Sequence, residues 1–154
     1  MCTTGLEKSR SQRILWLFEE LNVPYKLKLY HRGKDFLADP ALKEVHPLGK
    51  SPIICVKAAG AEEEIVIAES GAIVEYLIEH FGKWMEPKRY KDGLEGQVGG
   101  ETEEWLRSRY FMHYAEGSLM TIIIVALIIG SKFPDQDSIC VRIQERPFVV
   151  PAGS

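Results

Sequence analysis

The 154-residue chain has few cysteines, and they are widely spaced. Cys2, Cys55 and Cys140 form no C-x-x-C pair and have no histidine at metal-ligand spacing. The sequence therefore predicts neither a disulfide framework nor a metal site, which fits a reducing compartment. It also lacks the basic and then apolar N-terminal pattern of a secretory signal, so we expect a cytoplasmic protein.

Concentrated positive charge and long apolar runs are also scarce. The 19 lysines and arginines are interspersed with 22 acidic residues, so no basic stripe is available to follow nucleic-acid phosphates. The longest apolar run, residues 119–129, is shorter than the roughly 20 residues that a transmembrane helix needs, and we expect no transmembrane segment. Hydrophobic residues make up 45% of the chain, which is typical of a soluble globular protein, so this run predicts a buried helix segment.

The most informative segment is the entry to the first predicted helix. Ser9 precedes the apolar-periodic residues 14–21, and Gln12 follows Ser9 by three positions, which is the pattern of a capping box. The start of a helix carries partial positive charge, and a serine hydroxyl there can donate to a thiolate, phosphate or carboxylate. Many serines at helix starts only cap the helix, so this motif alone favours capping over a catalytic role.

Strands and helices alternate in the pattern that follows. Residues 25–30 alternate with period two, which predicts a half-buried strand with Tyr25, Leu27 and Leu29 on one face. The short apolar runs at 53–56 and 65–67 predict an antiparallel hairpin.

The second half of the pattern is helical. Glu69-Ser70-Gly71 predicts the start of a helix that ends at Gly82, where a left-handed cap is expected. Glycines punctuate residues 83–100, which we interpret as a linker, and a long helix is expected from about residue 101 toward residue 129.

Four motifs in a fixed order resemble the cytosolic glutathione transferases, in particular the fungal and bacterial group with a serine at the first helix. They are Ser-Arg-Ser-Gln-Arg at 9–13, His-Pro-Leu-Gly-Lys-Ser-Pro at 46–52, Ala-Glu-Ser-Gly-Ala-Ile at 68–73, and the segment 105–118. The resemblance implies an α/β thioredoxin-like domain over 1–82, with a mixed four-stranded sheet that binds glutathione. It also implies a linker over 83–100, a partial all-α domain over 101–154 that helps to bind the electrophile, a homodimer, and a role in detoxification.

The resemblance also implies which residue activates glutathione. Ser9, with Ser11 as the alternate, would donate a hydrogen bond to the thiolate, which is the nucleophilic form of the thiol. Glutathione would be the co-substrate, and no metal is expected. A serine in place of a cysteine favours conjugation or peroxidase activity over reductase chemistry.

The remaining glutathione contacts follow from the later motifs. The resemblance implies a cis peptide bond between Ser51 and Pro52, which would present the Ser51 N–H and C=O to the cysteinyl backbone, with Lys50 near a carboxylate. Glu69 would pair with the γ-glutamyl ammonium, while the Ser70 hydroxyl and the helix N–H groups would take the α-carboxylate. Each residue also has an ordinary structural explanation, and only their combined spacing favours a binding site.

Candidates for the electrophile site lie on the long helix. Tyr110, Tyr114 and Glu116 are the residues expected to line a pocket for a small hydrophobic electrophile. An alternative function is a glutathione-binding or interaction protein of the same fold with little or no turnover. Disulfide exchange of the thioredoxin type is disfavoured because the C-x-x-C pair is missing.

The sequence departs from the family pattern at both ends. Gly5 is a poor strand residue, so the first strand is expected to be short or missing. The family has further helices after the one ending near Ile129, whereas residues 134–154 carry no sustained pattern. We therefore expect a product that is truncated at the C-terminus, in which residues 119–129 expose a large apolar patch.

Overall fold

A four-stranded mixed sheet organises the first part of the protein. The structure, a computed structural model, describes residues 1–7, 9–35 and 37–132. The sheet has the strand order β2-β1-β3-β4, in which β1 pairs parallel with β2 and β3 pairs antiparallel with β1 and β4. This arrangement confirms the predicted mixed sheet and the predicted hairpin. The strands are β1 (Cys2–Leu6), β2 (Lys26–Tyr30), β3 (Ile53–Val56) and β4 (Ile65–Ala68).

Three helices pack around this sheet, and a longer helical segment follows. Helix α1 packs on β1, and α3 packs on β3 and β4. A single 3₁₀ turn comes directly after α3. The helices are α1 (Ser11–Glu20), α2 (Leu42–Val45) and α3 (Ser70–Phe81), and the 3₁₀ turn is Lys83–Met85.

The buried core lies on both faces of the sheet. Ile53 and Ile54 are consecutive in β3 and therefore point to opposite faces. Ile54 packs with residues of α1 and α3, whereas Ile53 packs with Leu6, Tyr30 and Leu42 from β1, β2 and α2. Burying one such aliphatic or aromatic side chain stabilises the fold by about 1.5–3 kcal/mol, so the two clusters fix the strand ends that carry the candidate site.

The first strand is neither missing nor shorter than its neighbour, and that expectation is wrong. Strand β1 has five residues, as many as β2, and lies between β2 and β3. A Cβ atom at Gly5 would lie 2.8 Å from Leu29 Cδ2 and 3.1 Å from Leu27 Cδ1. The glycine therefore makes room for two leucines of β2 within a fully formed strand.

Strand β2 does not present the half-buried face that was predicted. Leu27 is 40% exposed and Leu29 is 63% exposed, whereas Tyr30 on the opposite face is buried. Because β2 is an edge strand and the helices pack mainly on the three other strands, the leucine face stays open. Tyr25 lies before the strand and stacks on Phe18, with ring centroids 4.7 Å apart.

Gly82 ends α3, but it does not adopt the predicted left-handed conformation. Its φ is −128° and its ψ is 30°. A Cβ atom at this position would lie 2.5 Å from Leu21 Cδ2. The glycine is therefore explained by the close approach of the Leu21 side chain from the segment after α1.

The long helix predicted beyond residue 101 is confirmed. Helix α4 (Glu103–Tyr114) continues through a π-helical turn, Ala115–Leu119, into α5 (Met120–Lys132). The chain divides into two compact units, Met1–Trp105 and Leu106–Ser154, so residues 83–100 belong to the first unit. The predicted tail at 134–154 lies outside the described residues.

The apolar run at 119–129 is largely exposed, so the expectation of a buried helix segment is wrong and the expected apolar patch is confirmed. Its exposed members are Leu119, Ile122, Ile123, Val125, Leu127, Ile128 and Ile129. By length and composition alone, the continuous helix Glu103–Gly130 is long and apolar enough to cross a membrane. Core helices of soluble proteins have the same length and composition, so the absence of a transmembrane segment stays a prediction.

Candidate functional site

Two serine hydroxyls meet between β1 and α1. The Ser9 and Ser11 Oγ atoms lie 2.7 Å apart, and the Ser9 hydroxyl donates to the Leu6 carbonyl at 2.8 Å. Ser11 Oγ lies 3.3 Å from the same carbonyl and accepts the Leu6 N–H at 3.3 Å. Both hydroxyls are therefore hydrogen-bonded to Leu6, the last residue of β1.

The predicted capping box is wrong in its register. Helix α1 begins at Ser11, the residue in the N-cap position is Arg10, and the Arg10 side chain makes no capping hydrogen bond. Ser9 Oγ instead accepts the N–H of Ser11, two residues later, at 3.2 Å. This bond is the short local turn that serine side chains commonly make, and it leaves Ser9 just outside the helix, facing its first turn.

The two serines differ in exposure and compete for one acceptor, the Leu6 carbonyl. Ser11 is only 2% exposed, whereas Ser9 is half-buried. Each hydroxyl has one proton to donate, and both oxygens lie within 3.3 Å of the Leu6 carbonyl. The Ser11 proton can therefore bond that carbonyl when the Ser9 proton turns toward another acceptor.

The loop before Ser9 is fixed by contacts that the sequence analysis missed. Glu7 Oε1 lies 2.6 Å from His31 Nδ1, and Arg32 Nε donates to the Glu7 carbonyl at 2.9 Å. The hydrogen bond with His31 lowers the pKa of Glu7, and the charges of His31 and Arg32 act in the same direction. These partners are 24 or more positions apart, so no local pattern could have revealed them.

The loop before β3 carries the predicted cis peptide bond between Ser51 and Pro52. The Ser51 hydroxyl donates to the Thr4 carbonyl at 3.1 Å, and Thr4 Oγ1 accepts the Ile53 N–H at 3.0 Å. Among the described residues, the Ser51 N–H and C=O have no hydrogen-bond partner. A buried threonine that the sequence analysis did not single out thus positions an open stretch of backbone.

Glu69 and Ser70 form the junction of β4 and α3. Glu69 is exposed and has a φ of 72°, which is rarely populated by residues with a side chain and costs about 1–3 kcal/mol. Ser70 is 7% exposed, and its hydroxyl makes no hydrogen bond within the described part of the chain. The first N–H groups of a helix point out of its N-terminal end and have no acceptor in the preceding turn. The start of α3 can therefore bind an anion.

These three segments lie at the same end of the sheet. Strands β1 and β4 both run antiparallel to β3, so the carboxyl ends of β1 and β4 adjoin the amino end of β3. Ser9 follows β1, Ser51 precedes β3 and Glu69 follows β4. Neighbouring strands are about 4.8 Å apart, so the three segments span about 10 Å.

Lys50 and the three electrophile candidates are placed differently. Lys50 is exposed in the loop before β3 and makes no hydrogen bond or ion pair with the described residues. Tyr110 and Tyr114 stack on one face of α4 with ring centroids 5.6 Å apart, and Glu116 lies in the π-helical turn. The three helix residues belong to the second compact unit.

Within the described ranges, no three His, Cys, Asp or Glu side chains are grouped to hold a metal ion.

The β2-β1-β3-β4 sheet, covered by helices on both faces and preceded at β3 by a cis-proline, defines the thioredoxin-like class of fold. Residues 9–80 match the family model for the glutathione S-transferase N-terminal domain. The chain is 33% identical over 125 residues to glutathione S-transferase 1 of Saccharomyces cerevisiae, covering 81% of this chain and 49% of that protein. The chain belongs to the glutathione S-transferase family through this N-terminal domain.

Other relatives agree with this placement. Glutathione S-transferase 3 of Schizosaccharomyces pombe is 36% identical over 118 residues, covering 77% of this chain and 42% of that protein. A glutathione S-transferase structure from Actinobacillus pleuropneumoniae aligns with a TM-score of 0.63 and 27% identity, covering 84% of this chain and 54% of that one.

A glutathione transferase homologue from Lodderomyces elongisporus, with two GSH per subunit, shares the fold at a TM-score of 0.55 and 18% identity. The alignment covers 73% of this chain and 48% of that one. The chain thus spans about half the length of the relatives that it matches. The resemblance is confirmed for the family, while the serine-type subclass and the truncation stay predictions.

Proposed function

We propose that this protein is a glutathione transferase in which the Ser9 hydroxyl stabilises the thiolate of glutathione. The observation that carries the proposal is the pair of serines at the end of β1, one half-buried and one buried, which share the Leu6 carbonyl. When Ser9 turns its proton toward a thiolate, Ser11 donates to that carbonyl in its place. Ser9 is therefore the donor, and Ser11 is a positioning residue.

The magnitudes suit thiol activation without a formal base. A hydrogen bond to a charged acceptor contributes about 1.5–3 kcal/mol, and one pKa unit corresponds to about 1.36 kcal/mol. The start of α1 adds about 0.3–1 kcal/mol through its partial positive charge. Together these interactions lower the thiol pKa by about one to three units, which raises the thiolate fraction at neutral pH substantially.

The rest of the glutathione molecule matches the end of the sheet in length and polarity. Three extended residues span about 10 Å, which equals the separation of the outer segments across β1, β3 and β4. The Ser51 N–H and C=O bond the cysteinyl backbone, and Lys50 faces a carboxylate. Glu69 pairs with the γ-glutamyl ammonium, and Ser70 with the α3 N–H groups takes the α-carboxylate.

The remaining assignments concern the whole enzyme. We assign glutathione binding to residues 1–82, a connecting role to 83–100 and electrophile binding to the helical part of 101–154. Tyr110, Tyr114 and Glu116 supply aromatic surface and one carboxylate for a small hydrophobic electrophile. We further propose a homodimer, a cytoplasmic location and detoxification as the biological role.

The test measures the thiolate of bound glutathione by ultraviolet difference absorbance as a function of pH, together with conjugation of a generic aryl halide. We expect Ser9→Ala to raise the pKa of the bound thiol by about one to two units and to lower turnover at neutral pH about 10- to 100-fold. Ser108→Ala, which removes a hydroxyl from an exposed position on α4, is the matched control and should change neither value.

Two outcomes would change the assignment. An unaltered pKa and rate in Ser9→Ala would remove Ser9 from its role as donor. Retention of the unmodified protein on immobilised glutathione without any conjugation would instead identify a glutathione-binding protein that lacks turnover.

A further inference from the structure

Two of the three cysteines are direct neighbours across the sheet. Cys2 on β1 is the register partner of Cys55 on β3 in the antiparallel pair of strands. Residues that are opposite one another in such a pair project from the same face of the sheet. The two thiols are free, and both residues are half-buried.

The spacing of such a pair suits a disulfide bond. Opposite residues of antiparallel strands have Cα atoms about 4.5–5.5 Å apart, with Cβ atoms about 4.5–5.5 Å apart. Disulfides form across Cα separations of about 4.4–6.8 Å and Cβ separations of about 3.5–4.5 Å. A small approach of the two side chains is therefore sufficient, and neither strand has to change its register.

Reagents can reach both sulfur atoms. Cys2 and Cys55 line one open pocket of about 480 Å³, whose wall also contains Lys26, Lys57 and Glu64. Lys26 is the register partner of Cys2 on β2, so its side chain projects from the same face of the sheet as the Cys2 thiol. Burial raises the pKa of the Cys55 thiol, and the nearby charge of Glu64 adds to the effect. A raised pKa makes Cys55 a slower nucleophile than an ordinary thiol, so it is assigned the second step of the exchange.

We propose that Cys2 and Cys55 form a reversible cross-strand disulfide when the protein meets a low-molecular-weight disulfide. The Cys2 thiolate attacks one sulfur of the reagent, which breaks its S–S bond and releases one small thiolate. Cys55 then loses its proton and attacks the Cys2 sulfur of the mixed disulfide, which releases the second small thiolate. Two protein thiols are oxidised, one small disulfide is reduced to two thiols, and the two protons end on those thiols.

The bond would link β1 to β3 and close a long segment of chain that contains both Ser9 and Ser51. Cross-linking a long segment restricts the unfolded chain and stabilises the folded one. The oxidised protein should therefore melt at a higher temperature than the reduced protein. Excess small thiol reverses the reaction by the same steps, so the pair responds to the thiol–disulfide ratio around the protein.

The experiment treats the full chain with hydroxyethyl disulfide and, separately, with glutathione disulfide. We expect the thiols of Cys2 and Cys55 to be lost together, with a Cys2–Cys55 peptide pair after proteolysis and, in Cys140→Ser, an intact mass reduced by two hydrogens. Hydroxyethyl disulfide has no γ-glutamyl group, so this arm does not depend on the proposed glutathione site. A failure of the transferase proposal therefore leaves this result unaffected.

Single substitutions make the assignment specific. Cys140→Ser should give the same disulfide, whereas Cys55→Ser should stop at a mixed disulfide on Cys2. Unfolding the unmodified protein in urea before treatment should replace most of the internal bond by mixed disulfides, because the register no longer holds the thiols together. A persistent mixed disulfide on Cys2 or Cys55 in the folded protein, or pairing of either thiol with Cys140, would overturn the proposal.

Discussion

The two compact units differ in what surrounds their apolar side chains. In the first unit, Phe18, Ile54 and Leu77 are completely buried, and they pack between the sheet and two helices. On α5 of the second unit, Ile122 is 57% exposed and Leu127 is 67% exposed. Leaving one such side chain in water forgoes about 1.5–3 kcal/mol of stabilisation, so the first unit has an internal source of stability that the described part of the second lacks.

Because of this contrast, substitutions in the two units test different properties of the protein. The hydroxyls and open backbone groups of the candidate site are positioned by strands that contribute to two buried clusters of the first unit. The second unit keeps its backbone hydrogen bonds along one long helix, but isolated helices are only marginally stable without packing of an apolar face. Substitutions in the first unit therefore test folding and chemistry, whereas substitutions on α5 test association.

The largest expected effect comes from removing a buried ring. Phe18→Ala deletes a completely buried side chain that stacks on Tyr25 and packs against the α3 residues Ile73 and Leu77. A buried Phe→Ala change costs about 3–5 kcal/mol, a large part of the 5–15 kcal/mol that stabilises a typical domain. The midpoint of urea unfolding, followed by far-ultraviolet circular dichroism, should fall markedly.

The matched control for this change lies on α5. Leu127→Ala removes an apolar side chain that is 67% exposed, and surface changes of this kind usually stay within about 0.5 kcal/mol. If the two variants lowered the unfolding midpoint equally, the contrast between a packed and an exposed unit would be wrong.

A smaller effect is expected when charge is added to the apolar face of α5. Ile122 and Ile129 are seven positions apart and lie on one face of the helix, where they are 57% and 40% exposed. If this face joins copies of the chain, Ile122→Lys with Ile129→Lys should weaken self-association at least about tenfold, which corresponds to about 1.4 kcal/mol. Sedimentation equilibrium measures the change directly.

The control places the same charges where no apolar face is lost. Ser108→Lys with Glu104→Gln adds the same net charge of two at exposed positions on α4 and should leave the association constant nearly unaltered. Equal weakening in both pairs would mean that net charge governs association, and the apolar face would then have no special part in it.

The sequence was informative wherever the determining contacts are local. Hairpin strands, the long helix and the cis Ser51-Pro52 bond follow from short patterns or from the family motif, and the structure contains all of them. Gly5 and Gly82 were misjudged because the reason for each glycine is a leucine from a distant segment. Thr4 was missed for the same reason, since its bonds to the loop before β3 join residues 47 or more positions apart.

The smallest expected effect concerns the exposed ion pair beside the candidate site. The pKa of Glu7 is lowered in the folded protein, chiefly by the hydrogen bond with His31. A lowered carboxyl pKa contributes stability above the ordinary value of 4.5 and loses it as the pH falls through the folded-state value. Glu7→Gln should therefore be slightly less stable than the unmodified protein near neutral pH, and the difference should vanish in acid.

The measurement compares the two proteins by urea unfolding from neutral pH down to about pH 3, with Glu79→Gln on α3 as an exposed control that should show no such dependence. Salt should reduce the Glu7 effect because both side chains of the pair are exposed to solvent and screened by ions. Since Glu7 also fixes the loop before Ser9 through Arg32, Glu7→Gln tests whether the side-chain pair or the backbone contact holds that loop. A difference that persisted unchanged in acid would assign the effect to packing, and the charge of Glu7 would then have no measurable role.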